Sequence, residues 1–103
     1  MRHIEDGIYR DRQDVLESDL RDARSVGAFA FANCTQLEAE YFSNGLAVIC
    51  EDAFFGCKSL EEVTLPASLS RIDSTAFTGC SDATFVVPKN SEARDFCVGK
   101  GYK

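Results

Sequence analysis

The chain has 103 residues, of which 17 are acidic and 11 are basic, so its formal net charge is −6, and 45% of its residues are hydrophobic. This length and composition predict one folded domain. The acidic balance argues against binding to nucleic acid or to an anionic membrane surface, because both require a basic patch. No run of residues approaches the 18 or more apolar positions of a membrane-spanning helix, so we expect no membrane insertion.

Residues 1–6 do not begin the apolar segment that is typical of a secretion signal. As written, the chain is therefore expected in the cytoplasm. A location at the cell surface or outside the cell is expected instead if the chain was cut from a longer parent that carries a signal peptide.

Residues 1–24 are the least regular part of the chain and carry seven acidic and five basic side chains. One interpretation is a helix that Asp11 caps and that runs to about Asp22. The other is a degenerate first repeat, in which Ile8 fills the position that phenylalanine holds in later repeats and both Val15 and Leu20 belong to a first strand. Both interpretations predict a terminal cap, whose charged outer side faces water.

From residue 25 onward the chain repeats itself with a constant period. The phrase Ala-Phe-x-x-Cys occupies residues 30–34, 53–57 and 76–80, and aliphatic residues precede each copy at the same distance. Fixed-period self-similarity is the sequence signature of a solenoid, in which each unit buries its apolar side against its neighbours.

Each unit contains a strand and a turn. In residues 60–65, Val63 and Leu65 alternate with polar residues, which predicts a half-buried strand, and Pro66 ends it. Asp73 lies where it can cap a short helical turn before the next phrase, and Gly79 lies where it can end that turn. Stacked units of this kind form a parallel sheet on one side and a row of turns on the other.

The C-terminal residues predict a capping helix. Ser91 is placed to cap a helix that runs to about Val98, and Gly99 is placed to end it. Its apolar face consists of Ala93, Phe96 and Cys97 at helical spacing. We expect this face to cover the last layer of the solenoid.

The five cysteines do not form a metal or redox motif, because no Cys-x-x-Cys is present. Cys34, Cys57 and Cys80 recur with the repeat and are predicted to stack as a buried ladder of inert thiols. A disulfide between adjacent rungs is the alternative, since neighbouring layers lie about 5 Å apart. Cys50 and Cys57 are interpreted as two separate parts of the core rather than as metal ligands.

Catalytic residues are not evident in this sequence. The single histidine, His3, lies close to the chain start, where residues are expected to be poorly ordered. It is therefore badly placed to act as the fixed base of a catalytic Cys-His pair. Glu61 and Glu62 point to opposite sides of a regular strand, so they make a poor acid-base pair. We therefore expect a non-enzymatic protein without a cofactor or metal, and an enzyme with an unrecognised site is the remote alternative.

The string Leu-x-x-Val-x-Leu-Pro-x-x-Leu-x-x-Ile-x-x-x-Ala-Phe-x-x-Cys at residues 60–80 resembles the 23-residue leucine-rich repeat of the BspA-like type. The resemblance is close over residues 25–103 and weak over 1–24. It implies a single domain, 1–103, with an α/β solenoid fold: short parallel strands on one face, short helical turns on the other, and a C-terminal capping helix. Residues 1–24 form an N-terminal cap or degenerate repeat, 25–88 the clear repeats, and 89–103 the C-terminal cap.

The sequence departs from this pattern at three places. Glu40 stands where Val63 stands in the next repeat, and Ser43 stands where Pro66 stands. The last repeat is one residue short between Cys80 and Pro88. The first clear strand is therefore less apolar than the second.

The predicted function is protein binding through the open sheet face, on which neighbouring layers align side chains into rows. This face is expected to consist of Glu38, Ala39, Tyr41, Glu61, Glu62, Thr64, Thr84 and Val86. Exposed aromatic residues such as Tyr41 are frequent hot spots of protein interfaces. The resemblance implies similarity to bacterial surface adhesion proteins that engage proteins of a host or a neighbouring cell.

The alternative function is a cytoplasmic module that assembles with itself. Short parallel sheets leave open edge strands, and an uncovered edge is a template for another chain. In that case the partner is a second copy of the same protein.

Overall fold

The computed structural model describes residues 2–14, 17–80, 83–88 and 91–100. This part of the chain winds as a solenoid of about four coils, which confirms the predicted fold. Its elements in chain order are β1 Arg2–Ile4, β2 Glu17–Leu20, β3 Ala23–Val26, β4 Ala39–Phe42, β5 Val48–Ile49, β6 Glu62–Thr64, β7 Arg71–Ile72, β8 Thr84–Val86 and α1 Glu92–Lys100.

The strands β2, β4, β6 and β8 form one parallel sheet in that order, which we call the major sheet. Its side chains alternate as the sequence pattern predicts: in β6, Glu62 and Thr64 are exposed on either side of the buried Val63. Val63 in turn lies opposite Phe85 of β8, which is also buried. The inward residues of the major sheet therefore form one wall of the core.

The strands β1, β3, β5 and β7 form a second parallel sheet, which we call the minor sheet. Val26, Ile49 and Ile72 pair across it, each one period after the last. β5 and β7 are only two residues long. These β-branched residues precede each Ala-Phe-x-x-Cys phrase by the same distance, so their repetition places a short ladder beside the turns.

The phenylalanines of the repeated phrase form a continuous stack through the core. The ring centroids of Phe31 and Phe54 lie 5.1 Å apart, and those of Phe54 and Phe77 lie 5.2 Å apart. All three side chains are buried. Because this spacing is close to the distance between neighbouring strands, each coil adds one ring to the stack.

The first coil consists of strands and turns rather than the alternative helix: β1 and β2 flank a turn over residues 6–11. The prediction that Ile8 fills the phenylalanine position was wrong. Tyr9 stacks on Phe31 with ring centroids 5.0 Å apart, whereas 47% of the Ile8 side chain is exposed. The cause is a first coil that is one residue shorter than the next, since Ile4 lies opposite Val26 and Val26 lies opposite Ile49.

The three repeated cysteines form the predicted buried ladder. The thiol of Cys57 donates a hydrogen bond to the carbonyl oxygen of Phe31, at 3.1 Å, and the thiol of Cys80 donates to that of Phe54, at 3.0 Å. Cys34 makes the same bond to Tyr9. All five cysteines are free thiols, so the alternative of a disulfide between rungs was wrong. Each thiol of the ladder instead links its coil to the coil before it.

The capping helix α1 begins at Glu92 and packs on the last coil. The Ser91 hydroxyl accepts a hydrogen bond from the backbone N–H of Arg94 at 3.1 Å, which is the predicted N-cap. Phe96 lies against Phe77, with ring centroids 6.3 Å apart. The prediction that Gly99 ends the helix was wrong, since α1 continues to Lys100. Residues 89, 90 and 101–103 of the predicted C-terminal cap lie outside the described residues.

Candidate binding face

The outward residues of the major sheet form two rows that cross the coils. In the first row Ala39 lies opposite Glu62, which lies opposite Thr84. In the second row Thr64 lies opposite Val86, and Tyr41 precedes Thr64 by one period. We call the first the acidic row and the second the aromatic row.

Two further carboxylates extend the acidic row. Glu38 and Glu61 come directly before β4 and before β6, and the N–H of Glu61 donates to the carbonyl oxygen of Glu38 at 3.1 Å. Glu61 and Glu62 are both exposed, and the expectation that they point to opposite sides assumed that both lie in a regular strand. Glu61 lies before β6 begins, so strand alternation does not apply to it.

A shallow depression of about 230 Å³ lies between the two rows on the middle coils. It is lined by Glu38, Ala39, Glu40, Tyr41, Phe42, Glu61, Glu62 and Thr64. The fold therefore brings together six of the eight residues predicted for the sheet face. The other two, Thr84 and Val86, lie one strand further along, in β8.

The aromatic row exposes two large apolar side chains. Tyr41 is 44% exposed and Val86 is 45% exposed, although each neighbours a buried residue in its own strand. Beside Tyr41, in the register of β2 and β4, lies Asp19, whose carboxylate pairs with Arg21 at 2.7 Å. The positive charge of Arg21, near Tyr41, is thus already paired with a carboxylate of its own coil.

Glu40 is a residue of this site that was not among the predicted binding residues. It lies opposite Val63 in the inward row of the major sheet, is only 4% exposed, and also lines the depression. Burial, and to a lesser degree the charge of Glu40, raise the pKa of Cys34. The sequence signal for this residue was its position, since an acidic residue stands there in place of the expected valine.

A second depression, of about 320 Å³, lies beside the minor sheet. It contains Cys50, whose pKa is raised first by burial and then by the neighbouring charges of Asp6 and Asp73. A thiol in acidic surroundings stays protonated, so it is a weak nucleophile at neutral pH. The single histidine, His3, hydrogen-bonds to Ser25.

Within residues 2–14, 17–80, 83–88 and 91–100, no group of three or more His, Cys, Asp or Glu side chains is arranged to hold a metal ion. In the same part of the chain, no helix has both the length and the apolar character needed to cross a membrane.

Comparisons with known proteins give two matches. The family model described as a BspA-type leucine-rich repeat region of six copies matches residues 19–96. The crystal structure of a leucine-rich repeat protein from Bacteroides capillosus ATCC 29799 is similar, with a TM-score of 0.72 and 26% sequence identity. The match covers 84% of this chain and 62% of that one. No curated protein matches the chain.

Proposed function

Because the chain belongs to the BspA-type leucine-rich repeat family, we propose that it is a non-enzymatic module that binds a protein partner through the major sheet. The observation that carries this proposal is that the exposed apolar residues of the aromatic row lie next to the depression. Tyr41 and Val86 expose nearly half of their side chains on a sheet whose backbone is fixed by parallel pairing. Rigid aromatic anchors beside a concave surface are typical of interface hot spots.

The outward-facing residues of the major sheet are well suited to binding because other residues, buried in the core, stabilise the fold. The residues that stabilise the solenoid, such as Phe54 and Cys57, are buried, whereas Tyr41, Glu62 and Thr64 project outward. The outward residues can therefore change without loss of the core, as solenoid binding surfaces require.

Site-specific photo-crosslinking tests the proposed face even when the partner is unidentified. A photoreactive residue at Thr64 should give adducts with another protein in the cells that naturally make this chain. The matched control is the same residue at Thr78, which is also exposed but lies in the row of turns. Equal crosslinking from both positions would contradict the proposal.

A second arm of this experiment removes the binding residues themselves. The variant Tyr41→Ala, Glu61→Gln and Glu62→Gln should abolish the adducts formed from Thr64 while the fold is retained, because all three side chains are exposed. Unchanged crosslinking in this triple variant would show that the partner does not use this face.

Self-association is the second candidate function, and the ends of the two sheets favour it. Among the described strands, β1 and β2 end the two sheets on the N-terminal side and β7 and β8 end them on the C-terminal side, and each of the four pairs on one side only. Such edges offer free backbone groups to another chain. Light scattering after size-exclusion chromatography decides between the two candidates: a monomer of 11.3 kDa removes self-association, and a dimer whose formation depends on β1 or β2 favours it.

We propose a relation to bacterial surface adhesion proteins on family membership alone. The chain spans 62% of the similar Bacteroides protein, so activities of a whole surface protein do not transfer to it directly. The reading frame upstream of Met1 tests the surface location. A secretion signal there places the module at the cell surface, and its absence favours the cytoplasm.

A further inference from the structure

We infer that the segment bound by the major sheet is basic and extended, with Lys or Arg side chains along the acidic row and apolar side chains along the aromatic row. This inference rests on the proposed function and adds the chemistry of the partner. It follows from the charges of the face, from the apolar residues beside them, and from their common alignment across the coils.

The charges of the major sheet all have one sign. Among its strand residues whose side chains the structure describes, Asp19 and Glu62 are acidic and exposed, Glu40 is acidic and buried, and none is Lys or Arg. Glu38 and Glu61 add two exposed carboxylates at the depression. Complementary charge steers a partner toward such a surface and rejects partners of the same sign.

The cation at the edge of this face does not neutralise it. Arg21 follows β2 and binds both carboxylate oxygens of Asp19, at 2.9 and 2.7 Å. For Glu38, Glu61 and Glu62, the described part of the chain provides no ion pair. The acidic row at the depression is thus available to positive charges from outside.

The aromatic row supplies what charge alone does not, namely apolar contact and position. Tyr41 and Val86 are exposed at opposite ends of this row, with Thr64 between them. The ring of Tyr41 can also receive a Lys or Arg side chain on its face. Glu62 and Thr64 are two positions apart in β6, so the two rows run about 7 Å apart. A segment that crosses the coils can therefore contact both rows.

A second copy of the chain fits this face less well than a basic segment does. The net charge of the chain is −6, and a second major sheet would bring its own carboxylates against Glu61 and Glu62. Like charges placed opposite each other at an interface cost binding free energy. The charge of the face therefore selects an unlike, basic partner.

Titrations followed by NMR test this inference with three blocked hexapeptides. The first alternates Lys and Val, the second alternates Glu and Val, and the third alternates Lys and Ser. The Lys-Val peptide should shift the amide signals of residues 38–42, 61–64 and 84–86. The Lys-Ser peptide should shift the same signals with weaker affinity, because it cannot make apolar contacts with the aromatic row. The Glu-Val peptide should shift none of them.

Two double variants, each of which removes two carboxylate charges, distinguish binding at the proposed face from general attraction of a basic peptide to an acidic protein. Glu61→Gln with Glu62→Gln should weaken the binding of the Lys-Val peptide about fivefold, as expected for two exposed ion pairs. Glu5→Gln with Glu51→Gln removes the same charge from exposed positions outside the major sheet and should change the affinity less than about twofold.

The outcomes distinguish this inference from the proposed function. If Glu-Val binds the face and Lys-Val does not, the partner is not basic, although the face still binds protein segments. If Lys-Val shifts signals elsewhere, if both double variants weaken it equally, or if no peptide binds, the inference is wrong. A partner crosslinked from Thr64 through an acidic segment would also overturn it, while leaving the proposed function in place.

Discussion

Phe31 and Phe54 stack face to face, with ring centroids 5.1 Å apart and ring planes only 4° from parallel. The same relation links Phe54 to Phe77, where the planes differ by 3°. Phe54 is therefore enclosed between two rings as well as between the two sheets. Each coil depends on its neighbours for this enclosure, so we expect the folding of the coils to be cooperative.

Replacement of Phe54 by Ala should lower the free energy of unfolding by about 3–5 kcal/mol, because it removes a fully buried ring and leaves a cavity in the stack. The measurement is urea denaturation followed by circular dichroism. For a domain of this size such a loss is a large part of the total stability.

The neighbouring residue provides the control for this prediction. Phe55 is 40% exposed, so Phe55→Ala should cost much less than Phe54→Ala. Similar losses for the two variants would show that the ring stack is not the main source of stability.

Gly56→Ala should lower the free energy of unfolding by about 1–2 kcal/mol, because alanine disfavours the left-handed backbone at this position. The φ angle of Gly56 is +72°, and an added Cβ would lie 2.7 Å from Oδ1 of Asn33. Asn33 holds the equivalent position one coil earlier, also with positive φ. Thermal denaturation measures the effect.

Gly99→Ala is the matched variant and should act in the opposite direction. Gly99 lies within α1, and an added Cβ there meets no atom within 4 Å. Alanine should therefore raise stability by a few tenths of a kcal/mol through helix propensity, less than in a helix interior because Gly99 is the second-last residue of α1. A loss of stability at Gly99, or no loss at Gly56, would contradict this assignment of the two glycines.

Glu40→Val should raise the free energy of unfolding by about 1 kcal/mol or more, because the contacts of a buried carboxylate often repay less free energy than its lost hydration costs, whereas valine needs no such compensation. Glu40 is 4% exposed and lies opposite Val63, so valine fits the inward row of the major sheet. Denaturation midpoints in urea measure the change. The control Glu38→Gln alters an exposed carboxylate and should have little effect. A less stable Glu40→Val protein would show that the carboxylate contributes to the fold.

The sequence predicted those parts of the fold that depend on repetition. The constant period of Ala-Phe-x-x-Cys was sufficient to place Phe31, Phe54 and Phe77 in one buried stack, since equal spacing means equal position in every coil. The predicted cap at Ser91 followed from side-chain chemistry, because a hydroxyl before a helical pattern can accept a hydrogen bond from a backbone N–H.

Sequence reasoning missed the parts of the fold where the repeat length changes and where the strands are only two residues long. A first coil shortened by one residue moved Tyr9 into the stack and left Ile8 exposed, a shift that a fixed period cannot predict. The minor sheet depends on very short strands such as Val48–Ile49, which are too short to show alternation. The outward rows could be predicted from β6, and the repeat position of Glu40, where Val63 stands in the next coil, already indicated that its side chain lies inward.

The stability of the protein should fall as the pH rises from about 8.5 to 11, because burial raises the pKa of the Cys97 thiol to about 11. An unfolded chain releases this proton near its ordinary pKa of about 8.5. Below that pH both states are protonated, so the full stability is present. Above it only the unfolded state loses the proton, which favours unfolding until the folded thiol also ionises.

Urea denaturation at a series of pH values measures this dependence. Cys97→Ala should make the decline between about pH 8.5 and 11 less steep, since it removes one of the buried thiols. Cys50→Ala should have a smaller effect, because Cys50 is only partly buried and its ionisation is less sensitive to folding. An unchanged pH dependence in the Cys97 variant would show that this thiol ionises equally in both states. Its side chain would then have to be accessible to water, contrary to its buried place on α1.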